Sequence, residues 1–147
     1  MSLSGRDCPL RVEALASFHD DKRGLLRGRN TIHVLEAEGL RLAHFGDLGH
    51  TPKGGILDDL RGLDAALIPV GGYYTIDAGT AKALVDELRP RVVLPMHYRW
   101  ADKGYDVISE VTAFTALLDN VVRYDTSALD LTADTPAQTA LLRYAHE

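Results

Sequence analysis

The sequence predicts an α/β domain with a mixed β-sheet and helices on one face. Three observations predict this fold class. Two β-branched and apolar runs flank a glycine-containing turn and indicate a hairpin near the N-terminus. Two later apolar runs, residues 65–70 and 91–96, flank a segment with helical periodicity, an order typical of parallel strands joined by a right-handed crossover. The chain has 147 residues, of which 46% are hydrophobic, so residues 1–147 are expected to form a single domain with one core.

The N-terminal elements are predicted to be strands. Residues 10–16 form the first strand, and glycines mark the polar loop over residues 20–30 that follows it. Residues 31–37 and 40–45 are the two arms of the hairpin, with Gly39 in the turn.

The segment between the two later apolar runs is predicted to be a helix. Its apolar residues recur at i, i+3, i+4 and i+7, which places them on one helical face. Asp77 or Thr80 offers an N-terminal cap, and Pro90 ends the helix. The residues on this face are Ala81, Leu84, Val85 and Leu88.

The C-terminal third is predicted to contain a second helix and three short strands. The helix covers residues 107–118 with Asp106 as its cap, and the strands cover residues 121–125, 129–132 and 139–144. The apolar stripe of this helix consists of Val107, Val111, Phe114 and Leu118.

Composition excludes several classes of partner. The net charge is −5 and the basic residues are scattered, which argues against a nucleic-acid surface. The apolar run at residues 65–70 is far shorter than the roughly 20 residues that span a bilayer, and no signal peptide opens the chain. Cys8 is the single cysteine, so no internal disulfide is expected, and a cytoplasmic location is predicted.

Asp47 is the first candidate ligand. It follows an apolar strand and is flanked by Gly46 and Gly49, which allow a sharp turn and a close approach to a ligand. A carboxylate held there projects into the loop layer, where binding sites are usually built. The alternative is that Asp47 only forms an Asx-turn after the strand.

Two histidines have comparable settings. His97 leaves the buried strand that Pro95 ends, and His19 ends the first strand. Imidazole is the commonest neutral metal ligand and suits zinc, iron or nickel. A lone histidine beyond a buried strand is more often a satisfied structural residue, which is the alternative for His97, and His19 could be a ligand, a general base or a loop residue.

The other histidines receive lesser roles. His50 stands three residues after Asp47 and could support a ligand or shuttle a proton. His33 and His44 lie within strands and are interpreted as structural, and His146 belongs to the terminal tail.

A glycine-rich stretch, Gly71-Gly72 followed by two tyrosines, resembles a phosphate cradle that runs into a helix. It lacks the lysine and the spacing of a Walker loop. A tight strand-to-helix turn that passes close to the site explains these glycines equally well.

Five segments together resemble the metallo-β-lactamase-fold superfamily, in particular its bacterial metal-dependent hydrolases related to ascorbate-phosphate lactonases. Their joint order and spacing are specific to the family. The segments are SFHD at 17–20, RGRN at 27–30, HFGDLGH at 44–50, PVGGYYTID at 69–77 and PMHY at 95–98.

The resemblance implies two metals at the edge of an αββα sandwich. His19 matches the lone histidine of the first metal site, Asp47 the bridging aspartate, and His97 the last histidine of the second site. The family's Thr-His-x-His-x-Asp-His segment should precede His19, but residues 1–18 contain no histidine. We therefore expect the chain to represent the C-terminal half of the sandwich, with three ligands of a larger set.

The implied function is metal-dependent hydrolysis, in which hydroxide generated at the metal attacks an ester, lactone or phosphodiester. Asp47 and His50 are the expected catalytic residues, and the expected cofactor is a divalent Zn, Mn or Fe ion, sub-stoichiometric or absent if the ligand set is incomplete. The expected partners are a small-molecule substrate and a second copy of the chain, packed on an exposed sheet face. The alternative is a non-catalytic dimerising or partner-binding module with vestigial ligands, and a nucleotide-binding domain would rest on Gly71-Gly72 alone.

Overall fold

The computed structural model describes residues 9–144, which form one seven-stranded sheet and three helices. Cys8 and His146 lie outside the described residues. The elements, in chain order, are β1 (Arg11–Phe18), β2 (Arg29–Ala37), β3 (Leu40–His44), α1 (Gly55–Asp59), β4 (Ala65–Pro69), α2 (Ala78–Leu88), β5 (Val92–Met96), α3 (Thr112–Thr115), β6 (Val121–Arg123) and β7 (Gln138–Leu141).

The sheet is mixed, as the sequence predicts. Its strand order is β1-β2-β3-β4-β5-β7-β6, with antiparallel pairing from β1 to β3 and parallel pairing from β3 to β6. The first three strands form an antiparallel meander that contains the predicted hairpin, and α2 makes the predicted crossover between β4 and β5. Because β1 and β3 run in the same direction, the C-terminal ends of β1, β3, β4 and β5 lie at the same edge.

One face of the sheet carries all three helices and the main core. Alternate strand residues on this face pack against apolar side chains from the helices and their flanking loops, so the prediction that the helices share one face is confirmed. The strand residues are Ile32, Val34, Ala43, Ala66, Ile68 and Val93, and the helical and loop residues include Leu60, Leu84, Leu88 and Phe114.

The opposite face is only partly covered. A small cluster of Ala65, Val92 and Ala140 is buried beneath side chains of the C-terminal segment, including Leu129 and Leu131. Toward β1 the cover stops, and Val12 is 54% exposed.

Helix α2 forms for the predicted reasons. The Asp77 carboxylate accepts a hydrogen bond from the Thr80 backbone N–H at 2.8 Å, which caps the helix. Three of its four predicted apolar residues are buried, and Val85 packs partly buried against the same core. Arg89 ends the helix in the left-handed conformation directly before Pro90.

The second predicted helix is wrong over most of its length. Only Thr112–Thr115 is helical, and Asp106 does not cap it. The backbone before it makes long-range hydrogen bonds instead, from Ser109 N–H to the Gly71 carbonyl at 2.8 Å and from Arg99 N–H to the Ser109 carbonyl at 2.9 Å. These partners occupy the groups that a longer helix would need, so tertiary contacts override the apolar stripe.

Two further differences concern short segments. No strand forms at residues 129–132, where Leu129 and Leu131 pack as loop side chains and the Thr135 hydroxyl accepts the Thr132 N–H. Helix α1 was not predicted, because five residues preceded by Gly54 give too short a pattern to detect. No helix in residues 9–144 has both the length and the apolar character needed to cross a bilayer.

Candidate metal centre

The three predicted metal ligands line one cavity. His19 follows β1, Asp47 lies in the loop after β3, and His97 follows β5, so all three stand at the sheet edge where these strands end. The cavity has a volume of ≈ 590 Å³. Its other lining residues are Gly72, Tyr74, Thr75, Gly104, Tyr105 and Ile108.

Asp47 and His97 are in direct contact. His97 Nδ1 lies 3.2 Å from Asp47 Oδ1, and the two side chains are 39% and 54% exposed, respectively. Two donors that each lie about 2.1 Å from one zinc ion stand about 3.0–3.4 Å apart. The spacing of this pair therefore fits two ligands of one divalent cation.

His19 lines the same cavity and has a buried ring nitrogen. Its Nε2 atom has no hydrogen-bond partner within residues 9–144. A buried polar atom without a partner is rare and costs free energy, so it calls for an explanation such as an ion. Coordination of a cation would satisfy this nitrogen.

Asn30 fixes the Asp47 loop. Its amide oxygen accepts the Asp47 backbone N–H at 2.9 Å, and its amide nitrogen donates to the Ser17 hydroxyl at 2.8 Å and to the Phe45 carbonyl at 2.9 Å. The side chain thus ties β1, β2 and the Asp47 loop together. Sequence reasoning missed this role: Asn30 belongs to the RGRN segment of the family resemblance, but the sequence does not show which backbone groups its amide contacts.

Asp20 fixes the loop that follows His19. It is 2% exposed, and burial by itself would raise the pKa of its carboxyl group. Four backbone N–H groups donate to the carboxylate, outweigh the effect of burial and hold this pKa below its usual value. The donors are the amides of Lys22, Gly24, Leu26 and Arg27, at 2.7–3.0 Å.

Two glycines let the site loops approach each other closely. A Cβ atom on Gly49 would come closer than 3.0 Å to the His19 and Asp20 backbone, and one on Gly71 would collide with the His97 carbonyl oxygen. Gly71 therefore serves a tight turn against the site, which supports the second of the two interpretations of the glycine-rich stretch.

His97 has a backbone conformation that side chains rarely adopt. Its φ is 54°, in the left-handed region, and that of Tyr73 on the facing loop is 61°. For residues other than glycine this conformation costs about 1–2 kcal/mol, and such strain concentrates at functional sites. The turn at His97 is what carries its side chain toward Asp47 instead of along the sheet.

His44 lies beside the site as a strand residue. Burial, together with the neighbouring His97 and His33, lowers its pKa. Its Nδ1 atom accepts the Gly46 backbone N–H at 3.1 Å, which requires that nitrogen to be unprotonated. His44 therefore supports the turn that presents Asp47.

The structure does not bring His50 into the cavity with the three ligands. Its Nε2 atom accepts the Phe18 N–H at 3.2 Å, and its Nδ1 atom lies 3.1 Å from the Thr51 carbonyl oxygen. Both ring nitrogens are thus engaged with backbone, in the tautomer that carries the proton on Nδ1. These contacts join the end of β1 to the loop after Asp47.

His50 instead lines the neighbouring cavity of ≈ 770 Å³, at the start of α2. Of the three carboxylates there, Asp20 and Asp77 already accept backbone hydrogen bonds and Asp21 pairs with Lys22. Arg23 and Lys53 add positive charge. The larger cavity therefore offers a poorer setting for a cation than the smaller one.

The described ligands do not form a complete set. Residues 9–144 contain no group of three or more His, Cys, Asp or Glu side chains close enough to hold a metal ion by themselves. The donor types, the Asp47–His97 spacing and the unpartnered His19 nitrogen fit a divalent cation, but further ligands are needed to enclose one.

Comparison with known proteins identifies the family. A model described as "Beta-lactamase superfamily domain" matches residues 8–97, a range that includes all three predicted ligands. The chain belongs to this superfamily. A Thermococcus onnurineus protein described as a UPF0173 metal-dependent hydrolase is 36% identical over 90 residues, which cover 60% of this chain and 39% of that protein. A similarly described protein of Thermoplasma acidophilum is 28% identical over 116 residues, 78% of this chain and 50% of its own length.

Solved structures support the same family. A Thermotoga maritima protein, described as a proposed Zn-dependent hydrolase of the metallo-beta-lactamase superfamily, superimposes with a TM-score of 0.75 at 27% identity. The match covers 90% of this chain and 64% of that one. A Parabacteroides distasonis protein at 17% identity, with a TM-score of 0.56, shows the fold alone.

The chain thus spans 39–50% of the length of these two curated relatives. Superfamily membership and the mixed α/β fold are confirmed. The narrower assignment to a bacterial, lactonase-like branch stays a prediction, since both of these relatives are archaeal.

Proposed function

We propose that this chain supplies one side of the metal centre of a metal-dependent hydrolase, with His19, Asp47 and His97 as ligands. The observation that carries the proposal is the buried, unpartnered Nε2 atom of His19, a residue that lines the same cavity as the Asp47–His97 pair. A divalent Zn, Mn or Fe ion bound there would polarise the scissile group and lower the pKa of a water molecule.

The residues of this chain hold and orient the reacting groups. Asp47 and His97 would hold the cation with their adjacent side chains, while Asn30 keeps the Asp47 backbone in place. Water adds to the acyl or phosphoryl centre of an ester, lactone or phosphodiester, the bond to the leaving oxygen breaks, and that oxygen takes up a proton. We assign the predicted catalytic role to Asp47 and give His50 the role of positioning the end of β1.

The remaining ligands come from outside residues 9–144 in this proposal. The open sheet face around Val12 and the 39% coverage of the Thermococcus onnurineus relative support the interpretation of the chain as the C-terminal half of an αββα sandwich. The structure of residues 9–144 is compatible with that half, and a cytoplasmic location remains a prediction from composition.

The second candidate is a dimerising module whose ligands are vestigial. The open face favours it, because Val12 and Leu10 are 54% and 45% exposed near the uncovered edge of the sheet. Two copies would pack these faces together through an isologous interface.

Metal binding tests the first candidate. Protein loaded with zinc or manganese should retain close to one ion per chain, and His19→Ala, Asp47→Ala and His97→Ala should each weaken binding about tenfold or more, as measured by calorimetry and elemental analysis. His33→Ala is the matched control, because His33 is an exposed histidine that does not line the cavity. Equal metal affinity in all four variants would contradict the proposal.

Light scattering after size exclusion tests the second candidate. A dimer would have twice the 16.1 kDa chain mass, and Val12→Lys should convert it to monomer. Val122→Lys is the control, because Val122 is also exposed but lies on the edge strand β6. A wild-type monomer at micromolar concentration would contradict this candidate.

A further inference from the structure

Aromatic side chains form one wall of the cavity that holds the predicted ligands. Tyr74, Tyr105 and Ile108 line it, and the rings of Tyr74 and Tyr105 lie 5.6 Å apart between centroids. Tyr74 is 37% exposed and Tyr105 is 69% exposed, so their rings remain accessible at the mouth. Tyr73 extends the cluster, with its ring 4.8 Å from that of Tyr74.

A positive charge lies over this cluster. The guanidinium carbon of Arg27 is 5.6 Å from the Tyr74 ring centroid and 5.9 Å from that of Tyr73. Within residues 9–144, no carboxylate forms an ion pair with Arg27. The cation therefore stands beside the cavity without a neutralising partner.

Backbone contacts fix both parts of this arrangement. The Arg27 N–H donates to the Asp20 carboxylate at 2.7 Å, which sets the position of its backbone. Tyr73 and Tyr74 follow Gly72, whose N–H donates to the Ile76 carbonyl at 3.2 Å and closes their turn. A backbone held in place beneath these rings and beneath Arg27 lowers the entropy cost of binding a flat anion.

We propose that this cavity selects a planar, ring-containing substrate that carries a carboxylate or phosphate. The ring stacks against Tyr74 and Tyr105, the anionic group meets Arg27, and the scissile bond then faces Asp47 and His97. This inference rests on the proposed function, because it names the substrate class of the same site.

Binding in the presence of a chelator tests the subsite separately from the metal. The full chain is titrated by NMR with 2-naphthoate, with 2-naphthalenemethanol, which has the ring without the charge, and with cyclohexanecarboxylate, which has the charge without a flat ring. We expect 2-naphthoate to bind about tenfold more tightly than either.

Two variants separate the contributions of charge and ring. Arg27→Gln should weaken the binding of 2-naphthoate about tenfold and leave the affinity for 2-naphthalenemethanol unchanged. Tyr105→Leu should weaken the binding of both probes. Arg123→Gln and Tyr144→Leu are the matched controls, because both are exposed residues that do not line this cavity. No detectable binding, equal affinity for the three probes, or equal effects in the controls would overturn the subsite.

The outcome is distinguishable from that of the metal experiment. Selective naphthoate binding without metal retention would contradict the proposed function but support the proposed binding of a ring-containing anion. Metal retention without selective binding would overturn the subsite alone.

Discussion

Two aspartates in neighbouring loops have opposite environments. Asp20, after β1, is 2% exposed and accepts hydrogen bonds from four backbone amides. Asp47, after β3, has a side chain that is 54% exposed, and it contacts His97 at 3.2 Å. The first carboxylate faces its own loop and the second faces the cavity.

The difference shows how a carboxylate acquires a structural or a ligand role. The oxygens of Asp20 are committed to backbone donors, so a cation could bind them only after these hydrogen bonds break. Asp47 keeps its oxygens toward a cavity because its loop is held by Asn30 instead. Both residues follow an apolar strand in the sequence, and only their hydrogen-bond partners separate them.

The largest expected effect is the loss of stability in Asp20→Asn. The amide would present a donor where the loop supplies only N–H groups, so we expect the Tm to fall by roughly 10 °C. Asp21→Asn is the control, because Asp21 is exposed and, within residues 9–144, its recorded ion pair is with Lys22, so its Tm should stay within about 2 °C. Thermal unfolding monitored by circular dichroism measures both Tm values, and similar Tm values for the two variants would contradict a structural role for Asp20.

Gly49→Ala should disturb the loop after β1 and the loop after β3 together. Its Cβ atom would collide with the His19 and Asp20 backbone, which costs about 1–3 kcal/mol of unfolding free energy and displaces the ligand His19. Gly79→Ala is the matched control, because a Cβ atom there meets only Asp77 Oδ1 at 3.8 Å, and it should stabilise α2 by about 0.5–1 kcal/mol. Urea unfolding gives both values, and an unchanged Gly49→Ala protein would contradict the close approach of the loops.

Asp47→Asn should weaken metal binding without destabilising the fold. We expect metal affinity to fall about tenfold or more, while the Tm of the metal-free protein changes by no more than about 2 °C. Calorimetric titration with zinc and thermal unfolding in chelator measure the two quantities. A large drop in the Tm of the metal-free protein would instead make Asp47 a structural residue like Asp20.

The smallest expected effect is a change in pH dependence. The folded-state pKa of Asp20 lies below the unfolded value near 4, so its stabilisation is complete above that value and is lost as pH falls through the folded pKa. Wild-type stability should therefore decline below about pH 4, and the slope in Asp20→Asn should be smaller by up to one bound proton. Urea unfolding at several values between about pH 2 and 6 tests this. Parallel curves of unfolding free energy against pH for the two proteins would contradict it.

The local pattern predicted the strands and the helix that form the centre of the sheet. The hairpin, β4, α2 and β5 follow from alternation, helical periodicity and the cap at Asp77, because each is supported by short-range interactions. The prediction of a helix over residues 107–118 is wrong over most of that range, because Ser109 and Arg99 form long-range hydrogen bonds that no local pattern reveals.

By itself, the sequence determined the fold class, the order of the main elements and the residue types able to bind a cation. Only the tertiary structure decided which of them converge. His19, Asp47 and His97 share a cavity because strands β1, β3 and β5 end at one sheet edge, whereas His50 turns to the backbone of Phe18 and Thr51. The physical reason is that hydrogen-bond partners and close backbone approaches join residues far apart in sequence, and these set the environment of each side chain.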